Sequence, residues 1–344
     1  MQDNKYKRVQ AIDIYTGEVL GNALIKDNGS EQLVMKVVKE NQVKAIKKKT
    51  KNKGAIIKHI QENEGSFVHL MYKYGYPLMD TLQAKCKGNK ANIHMIRFIQ
   101  LATYSTFGGK LFDDDGNRIK KSSLSKIWDT KSRNSINETY NLLLECGYIY
   151  EEVEIVDKRQ CKYSDKEING TKKEGYIMIS EELIIKGAIE DFKRLKKGDE
   201  NLTYTRIFSK NVQDMYMGTE PKARKQLANL FKVLPYINFK HNIFCANPTE
   251  TDKDKLELYT WTDLARICGY DETNITKFKK ELWKLKIYGF NTIGQFSSGD
   301  SYYICVNPKV YYGGDNKDDV DFLYKSFEML EGMSKTRRAR VKKN

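Results

Sequence analysis

Two stretches of this chain carry side chains suited to reading the edges and backbone of a double helix. Taking Ile136 and Phe278 as pointing to a core, and about 100° per residue, one helical face shows Lys131, Asn134, Ser135, Glu138 and Asn141, with Arg133 at its margin. The other shows Thr273, Thr276, Lys277, Lys280 and Lys284. Asn amides pair with adenine edges and Lys with guanine or phosphate, and one good bidentate contact discriminates between bases by about 1–3 kcal/mol. The second face, all hydroxyls and cations, suits phosphate. The first, which includes Glu138, suits selection among sequences. Either face alone is equally well explained as the solvated side of a packed helix. Two such faces at matched places in one chain shift the reading toward DNA.

Other chemistries find little support. His59, His69, His94 and His241 form no His-x-His pair of the kind a nicking enzyme needs to hold a divalent ion beside its tyrosine. His94 and Arg97 fit a His-x-x-Arg pattern found in tyrosine recombinases, but so short a pattern arises easily by chance, and a helix-surface role is the simpler expectation. Cys86, Cys146, Cys161, Cys245, Cys268 and Cys305 are scattered, without CxxC spacing, so neither a zinc site nor a disulfide framework is indicated. Asp113-Asp-Asp-Gly116 opens like a calcium loop and then lacks the later ligands and the closing Glu. A Walker-type phosphate loop is missing. The expectation is a protein without catalytic residues, metal or cofactor, and not an enzyme.

The elements that would present the two faces recur. Residues 95–112 match 227–244 at a constant offset of 132, with Tyr104 over Tyr236, Phe107 over Phe239, Leu111 over Ile243 and Phe112 over Phe244. Ser123, Leu124 and Ile127 then answer Thr262, Leu264 and Ile267, and a helical run ends at Gly147-Tyr148 as at Gly289-Phe290. Residues 175–187 lie over 301–313. Each copy reads as helix, short strand, helix, second helix and two-stranded ribbon. In the first these are 90–105, 110–112, a short helix capped by Ser122 or Ser123, a longer one opened by Asp129-Thr130, and strands 148–156 and 175–180. In the second they are 221–234, 241–245, 261–267, 272–287 and a tight ribbon around Gly299. Thr260 with Asp263 resembles a capping box, and Asp271 is a natural N-cap. This order is that of a winged helix. The fold class expected is α+β, two tandem winged-helix domains related by internal duplication with an N-terminal β-hairpin extension.

Residues 8–25 read as that hairpin, turning at Gly17, and 66–82 as a connector broken by Gly75 and Pro77. The boundaries expected are 1–88 for the hairpin and basic extension, 89–190 and 200–333 for the two winged helices, and 334–344 for a basic disordered tail. An amphipathic helix over 318–333 closes the second domain, with Val320, Leu323, Phe327 and Leu330 on one side. Charge is concentrated at the ends. The net charge is +15; residues 1–60 hold thirteen Lys or Arg against six Asp or Glu, and 335–343 hold six against none. Arg337, Arg338 and Arg340 in that tail, and Lys158, Arg159 and Lys162 in the first wing, are placed to hold phosphates, since each phosphate neutralised releases counterions. No apolar run is long enough to span a bilayer, so a cytoplasmic protein without membrane contact is expected.

Two winged helices in a basic chain of this length resemble the plasmid and phage replication initiators. The hairpin Ala11-Ile-Asp-Ile-Tyr-Thr-Gly-Glu18, and Tyr302-Tyr-Ile-Cys-Val-Asn-Pro-Lys-Val-Tyr-Tyr-Gly-Gly-Asp315 at the close of the second wing, are similar to the replication proteins of Firmicute plasmids. The long first wing and the basic tail lie outside the resemblance. It implies binding of repeated origin sites on double-stranded DNA, recruitment of a host replication helicase or its loader, and repression of the protein's own promoter as a homodimer. The residues also leave open a dimeric transcriptional regulator or segregation adaptor, with one domain on DNA and the other on a protein.

Overall fold

The computed structural model describes residues 6–12, 19–26, 64–72, 81–82, 84–86, 90–157, 171–186, 203–298, 301–314 and 317–341, and the chain divides into two units, residues 1–60 and 61–344. In the first, β1 (Tyr6–Ile12) pairs antiparallel with β2 (Val19–Lys26), with a register irregularity between Ala11 and Ile12. This is the hairpin the sequence predicts. Its turn and the Lys-rich stretch 36–60 lie outside the described residues.

The second unit mixes helix and sheet, an α+β chain, around one continuous core that runs from Val68 and Met95 through Phe231 and Phe278 to Val306. Part of its frame is a sheet with no counterpart in the sequence reading. β3 (Phe67–Tyr72) lies between β6 (Ile184–Ile185) and β7 (Thr203–Phe208), antiparallel to both, with His69 opposite Ile185 on one side and Arg206 on the other. Val68, His69, Leu70 and Met71 are all buried, as are Thr205, Arg206 and Ile207. Strands buried on both faces lose the alternation by which strands are recognised. The boundary expected at residue 88 therefore falls within the second unit, and the two domains expected at 89–190 and 200–333 share its core.

Helix α1 (Lys90–Ala102) packs against α5 (Arg224–Val233), which follows β7 and α4 (Ser209–Gly218). After α1 come α2 (Leu124–Ile127), α3 (Arg133–Glu145), β4 (Ile149–Asp157) and β5 (Thr171–Ile179). After α5 come α6 (Trp261–Ile267), α7 (Ile275–Lys284), the short pair β8 (Lys286–Ile287) and β9 (Phe290–Asn291), then β10 (Ile293–Ser298) and β11 (Ser301–Val306). The two series repeat a hydrogen-bond pattern. Phe112 N–H donates to Tyr104 O and Ile119 N–H to Leu111 O; Cys245 N–H donates to Tyr236 O and Tyr259 N–H to Phe244 O. Leu111 thus answers Phe244, both fully buried, and not Ile243 as a constant offset of 132 predicts. The turn before Ile243 is one residue longer than the one before Lys110, with Asn242 at φ 58°, and both extended segments pair through isolated bridges.

Two helix ends also differ from expectation. Helix α3 is opened by Ser132, whose hydroxyl accepts the Ser135 N–H at 3.3 Å, while Asp129 sits in the preceding turn at φ 43°. It closes as expected at Gly147, φ 71°, with Tyr148 N–H bonded to Leu143 O. Helix α7 instead stops at Lys284. Tyr288 and Gly289, at φ 50° and 84°, form the two-residue turn between β8 and β9, so Gly289 serves a hairpin and not a helix end. The capping box of Thr260 and Asp263 is present.

The last helix, α8 (Lys317–Val341), buries Val320, Leu323 and Phe327, the last edge-on to Phe296 on β10 at 5.7 Å. Tyr324 donates to the buried Glu64 at 2.7 Å, and Lys286 pairs with Glu331 at 3.2 Å. The helix continues through residues 334–341, where an irregular tail is expected; no Gly or Pro interrupts that stretch, and Lys, Arg and Ala are good helix formers.

Candidate nucleic-acid interface

Helix α7 owes its orientation to Phe278 and Leu282, four residues apart and fully buried. This places Thr276, Lys277, Lys280 and Lys284 in solvent, as the sequence predicts, with Thr273 exposed in the turn before the helix. Beside them is a group the sequence reading passed over. Lys279 Nζ stands 4.5 Å from the centre of the Trp283 ring and 5.0 Å from that of Trp261, and donates to Gln295 Oε1 on β10 at 3.0 Å. The same oxygen accepts Trp261 Nε1–H at 2.9 Å, and the two indoles meet edge to face at 5.8 Å. Partial burial lowers the Lys279 pKa. Trp283 remains 41% exposed among the cations of the helix. The signal was available, because Trp283 lies about 140° from Phe278 on the wheel, within the exposed arc. Aromatic residues are read by habit as core.

The corresponding surface of the first series is different in kind. Ile136, Thr139, Tyr140 and Leu143 bury α3, leaving Lys131, Arg133, Asn134, Glu138 and Asn141 exposed and Ser135 half-buried. Its ribbon carries carboxylates. Glu151, opposite Ile177 as Gln295 is opposite Ile304, accepts the Tyr140 hydroxyl, whose pKa burial and that bond drive upward. Arg118 bridges Glu152 and Glu154 at 2.6 Å each and holds the Glu152 carboxyl below its usual range, while Lys120 pairs with Glu174. On the Glu151 side, Val153 and Ile155 stand 58% and 69% exposed. Lys158, Arg159 and Lys162 lie outside the described residues. Arg337, Arg338 and Arg340 have their backbone in α8, away from both ribbons in sequence.

His94 and Arg97 are buried, not on a helix surface as expected, because they face α3 across the core. His94 Nδ1 is 2.9 Å from Thr139 Oγ1, and Arg97 Nη1 donates to that oxygen at 2.7 Å and to Ser135 O at 2.9 Å. Burial lowers the His94 pKa, against the pull of Glu138. Their work is to hold α3 on α1. A second arginine does similar work between the series: Arg224 of α5 reaches the turn before α3, bonding Trp128 O, Asp129 O and the Asp129 carboxylate.

Among the described residues no group of three or more His, Cys, Asp or Glu is arranged to hold a metal, and no helix is long and apolar enough to cross a membrane. No family model, curated protein or solved structure matches this chain.

Proposed function

We propose that residues 90–314 form two winged-helix units related by duplication, and that the second is a double-stranded DNA-binding unit with α7 as its recognition helix. The repeated hydrogen bonds around Tyr104 and Tyr236 support the duplication. The observation that carries the binding reading is the face of α7, where Lys277, Lys280 and Lys284 stand exposed with no described carboxylate bonded to them, next to Thr276 and an indole. Such a face attracts phosphate by counterion release and offers hydroxyl and cation donors to base edges. The first unit has Asn134 and Asn141 available for base contacts, but its ribbon sets the Glu151 carboxylate against Tyr140 of α3 and carries Glu152 and Glu154 on its other side.

The wider role that best suits such a chain is that of a plasmid or phage replication initiator binding repeated origin sites, with a host helicase or its loader as partner; this part rests on the sequence resemblance. A second reading is favoured by the exposed Val153 and Ile155 on the first ribbon: a dimeric regulator or segregation adaptor that uses the first unit for a protein.

Duplex binding measured by fluorescence anisotropy across a series of salt concentrations tests the assignment. Replacing Lys277, Lys280 and Lys284 together by Ala is expected to weaken binding to all duplexes and to flatten the log–log salt slope by about 0.9 for each phosphate no longer neutralised, so by two to three units. Replacing Arg133 by Ala is expected to change the slope by no more than about one. Equal slopes in the triple variant and the wild type would remove α7 from the interface. Footprinting on the DNA flanking its gene then separates the roles: several direct repeats favour the initiator, one palindrome the regulator.

A further inference from the structure

The exposed indole of Trp283 is chemically out of place on a face otherwise made of cations and hydroxyls, and it is held there. Lys279 covers it, Trp261 meets it edge to face, and Gln295 fixes both partners to the ribbon. Its wheel position lies between those of Lys279 and Thr276, about 20° from Thr276 and about 60° from Lys280, so it borders the face these residues present. Resting on the reading of α7 as a recognition helix, we propose that Trp283 is a specificity-determining residue that packs on the 5-methyl group of a thymine.

The reasoning is one of complementarity. In the major groove a base pair presents hydrogen-bond donors and acceptors, and its one apolar group is the thymine methyl. An indole pressed against any other edge would desolvate a polar atom and return no hydrogen bond from its ring carbons. Pressed against a methyl, it removes apolar surface from water on both sides. Because Lys279 and Trp261 already restrict the ring, little side-chain freedom is lost on binding. Thr276 and Lys280 then read the neighbouring edges and phosphates, and Trp283 selects an A·T pair in a fixed register with them.

The test uses the full-length protein and the duplex it enriches from a randomised pool. Each thymine of that duplex is replaced in turn by deoxyuridine, which removes the methyl and nothing else. In the wild type, at least one thymine within the segment protected by α7 should show a loss of about four-fold, the value of one buried methyl group. Trp283→Ala should abolish that sensitivity and relax the preference for thymine there, leaving the other positions unchanged. Trp283→Phe should restore part of it. Deoxyuridine profiles that coincide in wild type and Trp283→Ala overturn the inference, as does a wild type with no methyl-sensitive position, which needs no variant to fold. A wild type that enriches no duplex at all overturns both this inference and the DNA-binding reading.

Discussion

Arg224→Ala is the substitution whose cost follows most directly from the geometry. The guanidinium is buried and bonded on every side. Nε donates to Tyr216 O and Thr219 O at 3.1 Å each, Nη1 to Trp128 O at 3.2 Å and Asp129 O at 3.3 Å, and Nη2 to the Asp129 carboxylate at 2.7 Å. Its plane also stacks on Tyr216 at 4.6 Å. Hydrogen bonds from a charged donor contribute about 1.5–3 kcal/mol each when isolated, but four of these five are long or shared, and the Asp129 side chain is 57% exposed, so water can replace its partner. Trp128 O also keeps the Tyr216 hydroxyl, which donates to it at 3.1 Å. Tyr216 O likewise keeps the Thr219 N–H at 3.3 Å, so what remains is the carbonyls of Thr219 and Asp129 without this donor, and a turn that holds Asp129 at φ 43° without its clamp. Together these amount to about 2–3 kcal/mol, from buried carbonyls that lose a donor and a strained turn that loses its clamp. Equilibrium urea unfolding of the full chain measures it, with the exposed neighbour changed in Lys225→Ala as control. Arg224→Lys should fall between the two, since one ammonium cannot reach all the acceptors. A change under about 1 kcal/mol in Arg224→Ala would mean that the turn before α3 is held by something other than this residue.

Two further outcomes can be checked by the same measurement. Gly108 and Gly109 both have positive φ, 71° and 68°, but a Cβ on Gly108 meets open space whereas one on Gly109 runs into the carbonyl oxygen of Ile179. Gly108→Ala should cost about 1 kcal/mol and Gly109→Ala clearly more, and equal costs would discard the steric argument. His69 has its pKa lowered to about 4, chiefly by burial and then by the charge of Arg206. Its neutral form is therefore favoured on folding, so its contribution is fully present above pH 6.5 and is lost as pH falls toward 4, about 3 kcal/mol in all. His69→Gln should show a shallower loss of stability between pH 6.5 and 4.5 than the wild type; parallel curves would show that the imidazole titrates normally in the folded chain.

The parts legible in the sequence are those written with helical period or cap chemistry. Helices α1, α2, α3, α6 and α7, both ribbons and the Thr260 capping box follow from apolar spacing and from Ser, Thr, Asp and Gly at element ends. The exposed residues of α7 follow from Phe278 alone. The sheet of β3, β6 and β7 is illegible for a physical reason: His69, Thr205 and Arg206 are polar yet buried, so its strands present neither an alternating pattern nor an apolar run. The clamp made by Arg224 is illegible because two of its acceptors across to the turn are backbone carbonyls, of Trp128 and Asp129, 96 and 95 residues away. The helix between 334 and 341 was hidden by charge, which reads as solvated tail whether or not the backbone is helical.

The two ribbons show how one side chain can direct the use of a surface. Glu151 and Gln295 are similarly placed, each opposite a buried isoleucine in its ribbon and bonded to the neighbouring long helix, Glu151 to Tyr140 of α3 and Gln295 to Lys279 of α7. An amide there is neutral and accepts two donors at once, so it can steady the Lys279 cation and the Trp261 indole while adding no charge of its own. A carboxylate at that place takes a tyrosine hydroxyl instead, and the other side of the same strand carries two more carboxylates, Glu152 and Glu154. Arg118 and Lys120 neutralise part of that charge and are spent in doing so, since both are already paired. The first face carries Glu138 among its polar groups, and its ribbon carries the exposed Val153 and Ile155; the second face carries exposed ammonium groups with no described carboxylate bonded to them. On that electrostatic ground α7 is the stronger candidate for DNA, and the ribbon of β4 and β5 the stronger candidate for contact with protein.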